Sequence, residues 1–154
     1  MSHSFAGTCA FRLMPYDELV EEPSALLLDE VGPTQVLLRY TWTHPEDGPQ
    51  HGVLLIGGPE EDATAVTAAL ADSWHQKPGL MSLTGDRLGD SVVLSSQYAG
   101  DWGWEVTVAG IEGDEPTMTM RNVVPVSALA TLPADGPHVE AGPYDVMVAR
   151  WRRT

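Results

Sequence analysis

The strongest constraint in this sequence is its punctuation. Apolar and polar residues alternate in short runs, and each run is broken by Gly, Pro or acidic residues. The breaks carry turn chemistry: Pro45-Glu46-Asp47-Gly48-Pro49, Gly57-Gly58-Pro59, Gly85-Asp86-Arg87-Leu88-Gly89, Ala99-Gly100-Asp101 and Glu112-Gly113-Asp114. Alternation with period two between such breaks is the pattern of antiparallel strands. It predicts strands near 8–14, 24–30, 34–43, 51–57, 64–74, 80–85, 91–98, 102–110, 116–124 and 144–152. About ten strands in one chain of 154 residues leave little room for helices. The expected class is all-β, a single domain over 1–154, built as an up-and-down barrel or a sandwich. No internal repeat points to a propeller or a solenoid.

Two segments depart from the pattern. Pro59-Glu60-Glu61-Asp62, followed by an Ala/Thr run to Trp74 and then Gly79, also reads as a capped helix. Val66, Leu70 and Trp74 are spaced by four, which suits a helical stripe and strand parity alike. Thr64, Val66 and Thr67 favour the strand. The stretch 125–143 holds Pro125, Pro133, Pro137 and Pro143, which cannot sustain ladder pairing, so most of it is expected as loop. A loop of this length is either a lid over a site or a disordered segment.

Charge narrows the function classes. The chain has 22 Asp and Glu against 8 Lys and Arg, a formal net charge of −14. Such a chain is repelled by nucleic acid and by anionic membrane surfaces. No apolar run is long enough for a spanning helix, and MSHSFAGTCAFR has neither a basic nor an apolar leader region. Cys9 is the single cysteine, so no internal disulfide forms and a cytoplasmic location is expected. The acids cluster in turns, where they keep the chain in solution and block strand edges. Arg12, Arg39, Arg121 and Arg150 fall inside predicted strands.

Parity sorts each strand into an inner and an outer face. In 34–43 the inner set is Val36, Leu38, Tyr40 and Trp42; in 91–98 it is Val92, Leu94, Ser96 and Tyr98. In 102–110 it is Trp102, Trp104, Val106 and Val108, and in 116–124 it is Met118, Met120 and Asn122. The same rule puts Asp72 inside with Val66, Leu70 and Trp74. In the last strand it puts Arg150 and Arg152 with Tyr144, Val146 and Val148, although Met147, Ala149 and Trp151 compete for that face. A lone buried charge costs several kcal/mol, so an inward Asp72 and an inward Arg150 need partners. Either they pair with each other, or the barrel is wide and wet and Arg150 meets a ligand carboxylate. The Trp, Tyr and Met residues are core singly; together they suit an amphipathic cavity lining.

Catalytic signatures are scarce. There is no GxSxG, HExxH, Walker loop or helix-opening GxGxxG, and Gly57-Gly58-Pro59 lacks the further glycine of a phosphate cradle. Cys9 reads as a small buried thiol. His44 and His51 flank a turn with Glu46 and Asp47, which suits an exposed pair better than a weak metal site. His75, directly after Asp72-Ser73-Trp74, reads as a structural histidine at the rim, with proton donor and haem ligand as the other roles.

Tyr40-Thr41-Trp42, Gly52-Val53-Leu54-Leu55-Ile56-Gly57, Asp72-Ser73-Trp74-His75-Gln76, Asp101-Trp102-Gly103-Trp104 and Met120-Arg121-Asn122-Val123 together resemble a family of barrels. It is an uncharacterised bacterial family of lipocalin-like, calycin-type proteins, and the similarity covers roughly residues 34–124 and the last strand. The resemblance implies a closed antiparallel barrel around a cavity, with 64–74 a strand, and brings no reaction with it. Two better understood calycin groups are instructive. Fatty-acid-binding proteins hold a carboxylate with an Arg and a Tyr two apart on the last strand. Arg150 and Arg152 share that spacing but not the Tyr, and no two-helix lid is visible. Haem-binding nitrobindins use a histidine near the C-terminal strand, and this chain has none after His138.

The expected function is therefore non-enzymatic binding of a small, largely apolar ligand, with an acidic head as one form of it, in a barrel cavity. Tyr40, Trp42, Trp74, His75, Tyr98, Trp104, Met118 and Met120 would line that cavity or its rim. Asp72, Asn122 and Arg150 would supply polar contacts. No catalytic residue, metal site or cofactor is assigned. The alternatives are a small isomerase or hydrolase using Asp72 and His75 as an acid–base pair, and haem binding through His75. The partners expected are a small apolar or amphipathic molecule and, at most, a second copy of the chain.

Overall fold

A computed structural model describes residues 1–60, 63–74 and 79–154. The strands are β1 (Ser2–Phe11), β2 (Val20–Glu30), β3 (Gln35–His44), β4 (Gly48–Gly57) and β5 (Ala65–Asp72). They continue with β6 (Met81–Leu88), β7 (Ser91–Tyr98), β8 (Trp102–Ala109), β9 (Thr117–Val124) and β10 (Gly142–Arg153). Each pairs antiparallel with its sequence neighbour, and β1 also pairs with β10, so the sheet closes on itself. The sandwich alternative is thereby excluded. Closure leaves no free sheet edge, which suits strands this long. The architecture is compatible with a calycin-like fold. No helix among the described residues is long and apolar enough to cross a membrane.

The ten expected strands are all present. The segment read both as helix and as strand is β5, and its inner residues Val66, Ala68, Leu70 and Asp72 are buried in alternation. β1 begins earlier than expected, because Ser2, His3 and Ser4 pair along β2 despite their small polar side chains. In 125–141 one helical turn, α1 (Val126–Leu129), interrupts an otherwise irregular connection.

The inner face is filled. Leu38, Leu54, Val106, Val108 and Met118 are fully buried along the axis, with Tyr40, Trp42 and Phe11 above them. The parity expected for β3, β5, β7, β8 and β9 is observed. β10 departs from it: its register against β9 shifts between Asp145 and Met147. The extra residue turns every following side chain over. Val146, Met147, Ala149 and Trp151 are buried, whereas Arg150 and Arg152 lie outside.

The barrel has two unlike ends. At the upper rim β1, β3, β5, β7 and β9 finish, and the longer connections 12–19 and 125–141 lie there. At the lower rim the turns 31–34 and 89–90 are short. The inward residues singled out from the sequence sit mostly at the upper rim, on two arcs of the wall.

Candidate functional site

The first arc is built by β3, β4 and β5. Tyr40, Gly52 and Asp72 occupy one row across the three strands. A Cβ at residue 52 would run into the Tyr40 ring, so glycine is what lets that ring lie flat over β4. The Tyr40 hydroxyl thereby reaches Asp72 and donates to Oδ2 at 3.0 Å. Trp42 Nε1 donates to the same oxygen at 2.9 Å, and the Trp74 backbone N–H donates to Oδ1 at 2.9 Å. Asp72 is buried, and these bonds offset its desolvation.

The Asp72 charge is felt around it. Burial, and then Asp72, push the Cys9 thiol up to about 12, so it is protonated and inert at neutral pH. Burial and the same carboxylate hold the Tyr40 phenol well above its ordinary range. Asp72 thus secures the rim through Tyr40, Trp42 and the chain turn at Trp74. The Arg150 partner expected from parity is excluded, because Arg150 faces outward beside Thr8 and Thr117.

Aromatic rings close this arc. Phe11 lies 4.6 Å from Trp42 and 5.8 Å from Trp74, between centroids. His44 stacks on Trp74 at 4.5 Å and 22°. His44 was expected exposed with His51; it is buried, because it continues the inner parity of Tyr40 and Trp42, while His51 is exposed. Its Nδ1 accepts from the backbone N–H groups of Glu46 and Asp47 at 3.2 and 3.0 Å. Nδ1 is therefore an acceptor and the neutral ring carries its proton on Nε2. Trp74 Nε1 donates to Asp47 Oδ2 at 2.6 Å, tying β5 to the β3–β4 turn. His75 lies outside the described residues.

The second arc is built by β7, β8, β9 and β10. The Tyr98 hydroxyl donates to Asn122 Oδ1 at 2.6 Å. Asn122 Nδ2 donates to the Tyr144 hydroxyl at 3.1 Å, and that hydroxyl donates to the Leu13 carbonyl at 2.8 Å. The chain links three strands to the 12–19 connection. Burial is the main cause that raises the phenol pKa of both tyrosines. Arg12 lies over the Tyr144 ring at 5.8 Å and donates to the Asp145 and Pro15 carbonyls.

A cavity of about 180 Å³ opens above this chain. Its floor and walls are Tyr98, Trp104, Asn122 and Tyr144, and it is covered by Met14 from 12–19 and Leu132 from 125–141. Among the described residues, no charged one lines it. Of the residues singled out from the sequence, Tyr98, Trp104 and Asn122 border this space. Tyr40, Trp42, Asp72 and Trp74 form the neighbouring pinned arc, and Met118 and Met120 pack deep in the filled core.

Tyr144 and the covering residues of 12–19 were not read as site residues. Tyr144 carried a usable signal, since it stands two residues before Val146 on the parity that holds up to the bulge. The 12–19 cover carried none: the first strand was expected to run to residue 14, but β1 ends at Phe11 and irregular backbone follows.

Among the described residues no three His, Cys, Asp or Glu side chains gather as a metal site. Compared with protein-family models and with curated proteins, the chain matches none.

Proposed function

We propose that this protein reversibly binds a small, uncharged, largely apolar molecule at the upper rim, without transforming it. The observation that carries this reading is the cavity of about 180 Å³ against Tyr98, Trp104, Asn122 and Tyr144. An apolar cavity of about 150 Å³ suffices for a ligand of benzene size. The Tyr98 hydroxyl, the Asn122 amide and the Tyr144 hydroxyl already engage one another. A ligand there needs shape and apolar surface rather than a charged head. With Arg150 outside the barrel, no cation among the described residues lines the cavity to meet a carboxylate head. The resemblance of 34–124 to lipocalin-like barrels supports the same reading, and the single buried Cys9 suits a reducing compartment.

The test is a calorimetric titration with a graded set: indole, cyclohexanol, hexanoate and laurate. Saturable binding of the neutral ring compounds is expected, with the carboxylates weaker by tenfold or more. Trp104→Ala should abolish the response while Arg150→Met leaves it unchanged. Tighter binding of laurate than of indole, or no saturable binding by any of the four, would sink the proposal.

A further inference from the structure

The two ends of the inner face differ in chemistry. Followed to the upper rim, inward parity ends in rings such as Phe11, Trp42 and Tyr98. Followed to the lower rim, it ends in charge. On β2 the inward series Leu26, Leu28 continues to Glu30, and on β10, past the bulge, Ala149 and Trp151 continue to Arg153. On β6 Leu83 leads to Arg87, which pairs across the sheet with the buried Val92 and so shares its face.

A cavity of about 440 Å³ occupies this lower mouth. Its floor is Leu28 from β2, Val36 from β3 and Ile111 from the 110–116 connection, and all three pack on the core. Its walls carry both signs of charge, with Arg87 and Arg153 facing Glu30, Asp90 and Glu112. Two of these groups are committed. Arg153 donates to Asp114 Oδ1 at 2.6 Å and meets His3 Nδ1 at 2.7 Å, and Glu30 lies 3.5 Å from the Met1 amino group. Arg87 is different. Its backbone is fixed, the N–H donating to the Thr64 carbonyl at 2.7 Å, whereas its half-buried guanidinium has no hydrogen bond or ion pair among the described residues. Asp90 and Glu112 likewise have no cationic partner among the described residues. One open cation and two open carboxylates therefore surround an apolar floor.

We propose that the lower mouth of the barrel binds a small zwitterion of the amino-acid class: a carboxylate and an ammonium group on a compact apolar body. Arg87 takes the carboxylate, for which its planar fork offers two parallel N–H donors. Asp90 and Glu112 take the ammonium group, and the body rests on Leu28, Val36 and Ile111. The charge set selects this class. A plain carboxylate would meet Arg87 but enter against three acids, in a chain of net charge −14. A plain amine would suit the acids and set a like charge beside Arg87. A molecule with both groups on adjacent atoms satisfies both signs and brings no net charge. The filled core lies between this mouth and the upper-rim cavity, so the two sites are independent.

Calorimetric titration of the full chain tests this with leucine and phenylalanine. Each is compared with its analogue lacking the ammonium group (4-methylpentanoate, 3-phenylpropanoate) and the one lacking the carboxylate (3-methylbutylamine, 2-phenylethylamine). Saturable binding of at least one amino acid is expected, with both of its stripped analogues weaker by tenfold or more. Arg87→Gln should weaken the amino acid by tenfold or more and bring it level with the amine, with folding checked by circular dichroism. Asp90→Asn combined with Glu112→Gln should instead bring it level with the carboxylate. Arg150→Gln removes an arginine from the outer wall and should leave the affinity within twofold. The inference is overturned if neither amino acid binds saturably, or if a stripped carboxylate or amine binds as tightly as its parent. It is equally overturned if folded Arg87→Gln, or the folded double variant, keeps the native affinity and selectivity.

Discussion

Tyr40 reaches across Gly52 to hold Asp72: its hydroxyl donates to Asp72 Oδ2 at 3.0 Å although a whole strand separates β3 from β5. The contact exists because residue 52 has no Cβ to hold the ring away. Gly52→Ala should therefore act as an overpacking substitution and lower stability by about 1–3 kcal/mol. Combining it with Tyr40→Leu, which removes the colliding atoms, should cost clearly less than the sum of the two single changes. Urea denaturation of the four proteins in the cycle measures this. Simple additivity would show that the ring does not rest on Gly52.

Removing the carboxylate itself strands its donors. Asp72→Ala leaves the Tyr40 hydroxyl, the Trp42 indole N–H and the Trp74 backbone N–H without this acceptor. At about 1–3 kcal/mol for a buried donor left unpaired, a loss of roughly 2–5 kcal/mol is expected, since the rim relaxes partly. Tyr40→Phe removes one donor and keeps the acceptor, so about 1 kcal/mol is expected. Equal losses in the two variants would contradict the shared acceptor.

Cys9 gives a pH dependence with a definite sign. Its thiol ionises near 9.0 in an unfolded chain and near about 12 in the folded one. Below pH 9 the proton is held in both states, so this group's full contribution is present. Between these values only the unfolded chain releases it, and stability falls as pH rises, by about 1.4 kcal/mol per pH unit from this group. Tyr40, also raised, acts in the same direction at higher pH. Denaturation midpoints from pH 8 to pH 11 should fall in the native protein and fall less steeply in Cys9→Ala. The same slope in both would remove Cys9 from the account.

The bulge in β10 makes neighbouring substitutions opposite in effect. Arg150 is exposed, so Arg150→Met should change stability by no more than about 0.5 kcal/mol. Trp151 is 3% exposed and its Nε1 donates to Ser24 Oγ at 2.8 Å. Trp151→Ala should cost about 3–5 kcal/mol. The reverse ranking would mean that the strand keeps an unbroken alternation.

The Tyr144 hydroxyl anchors the 12–19 connection through the Leu13 carbonyl. Tyr144→Phe removes that bond and the one its hydroxyl accepts from Asn122, and leaves the ring, so global stability should fall by about 1–3 kcal/mol. Amide exchange should accelerate locally in 12–19, the cover of the cavity. Unchanged exchange there would show that the segment is held without this bond.

Ten strands and most of their inner residues were legible in the sequence because a strand's side-chain period is two, and local alternation survives any tertiary arrangement. Val66, Leu70 and Asp72 illustrate it: once β5 is a strand, their burial follows. His44 was legible by the same rule, as one further step from Tyr40 and Trp42, and the adjacent acidic turn obscured it. Arg150 was not legible, since one bulged residue near Asp145 reverses all later parity and leaves no mark in the alternation before it. The partner of Asp72 was hidden for a different reason. Which side chains meet across a closed wall depends on register, and register is settled when every strand has paired and β1 has met β10. The amino-acid sequence by itself determined an all-β chain of ten alternating strands with an aromatic, Met-rich inner face. The tertiary structure alone decided that Tyr40 and Trp42 hold Asp72, that Arg150 stands outside, and that the open space lies under the connections, where cover and wall come from distant parts of the chain.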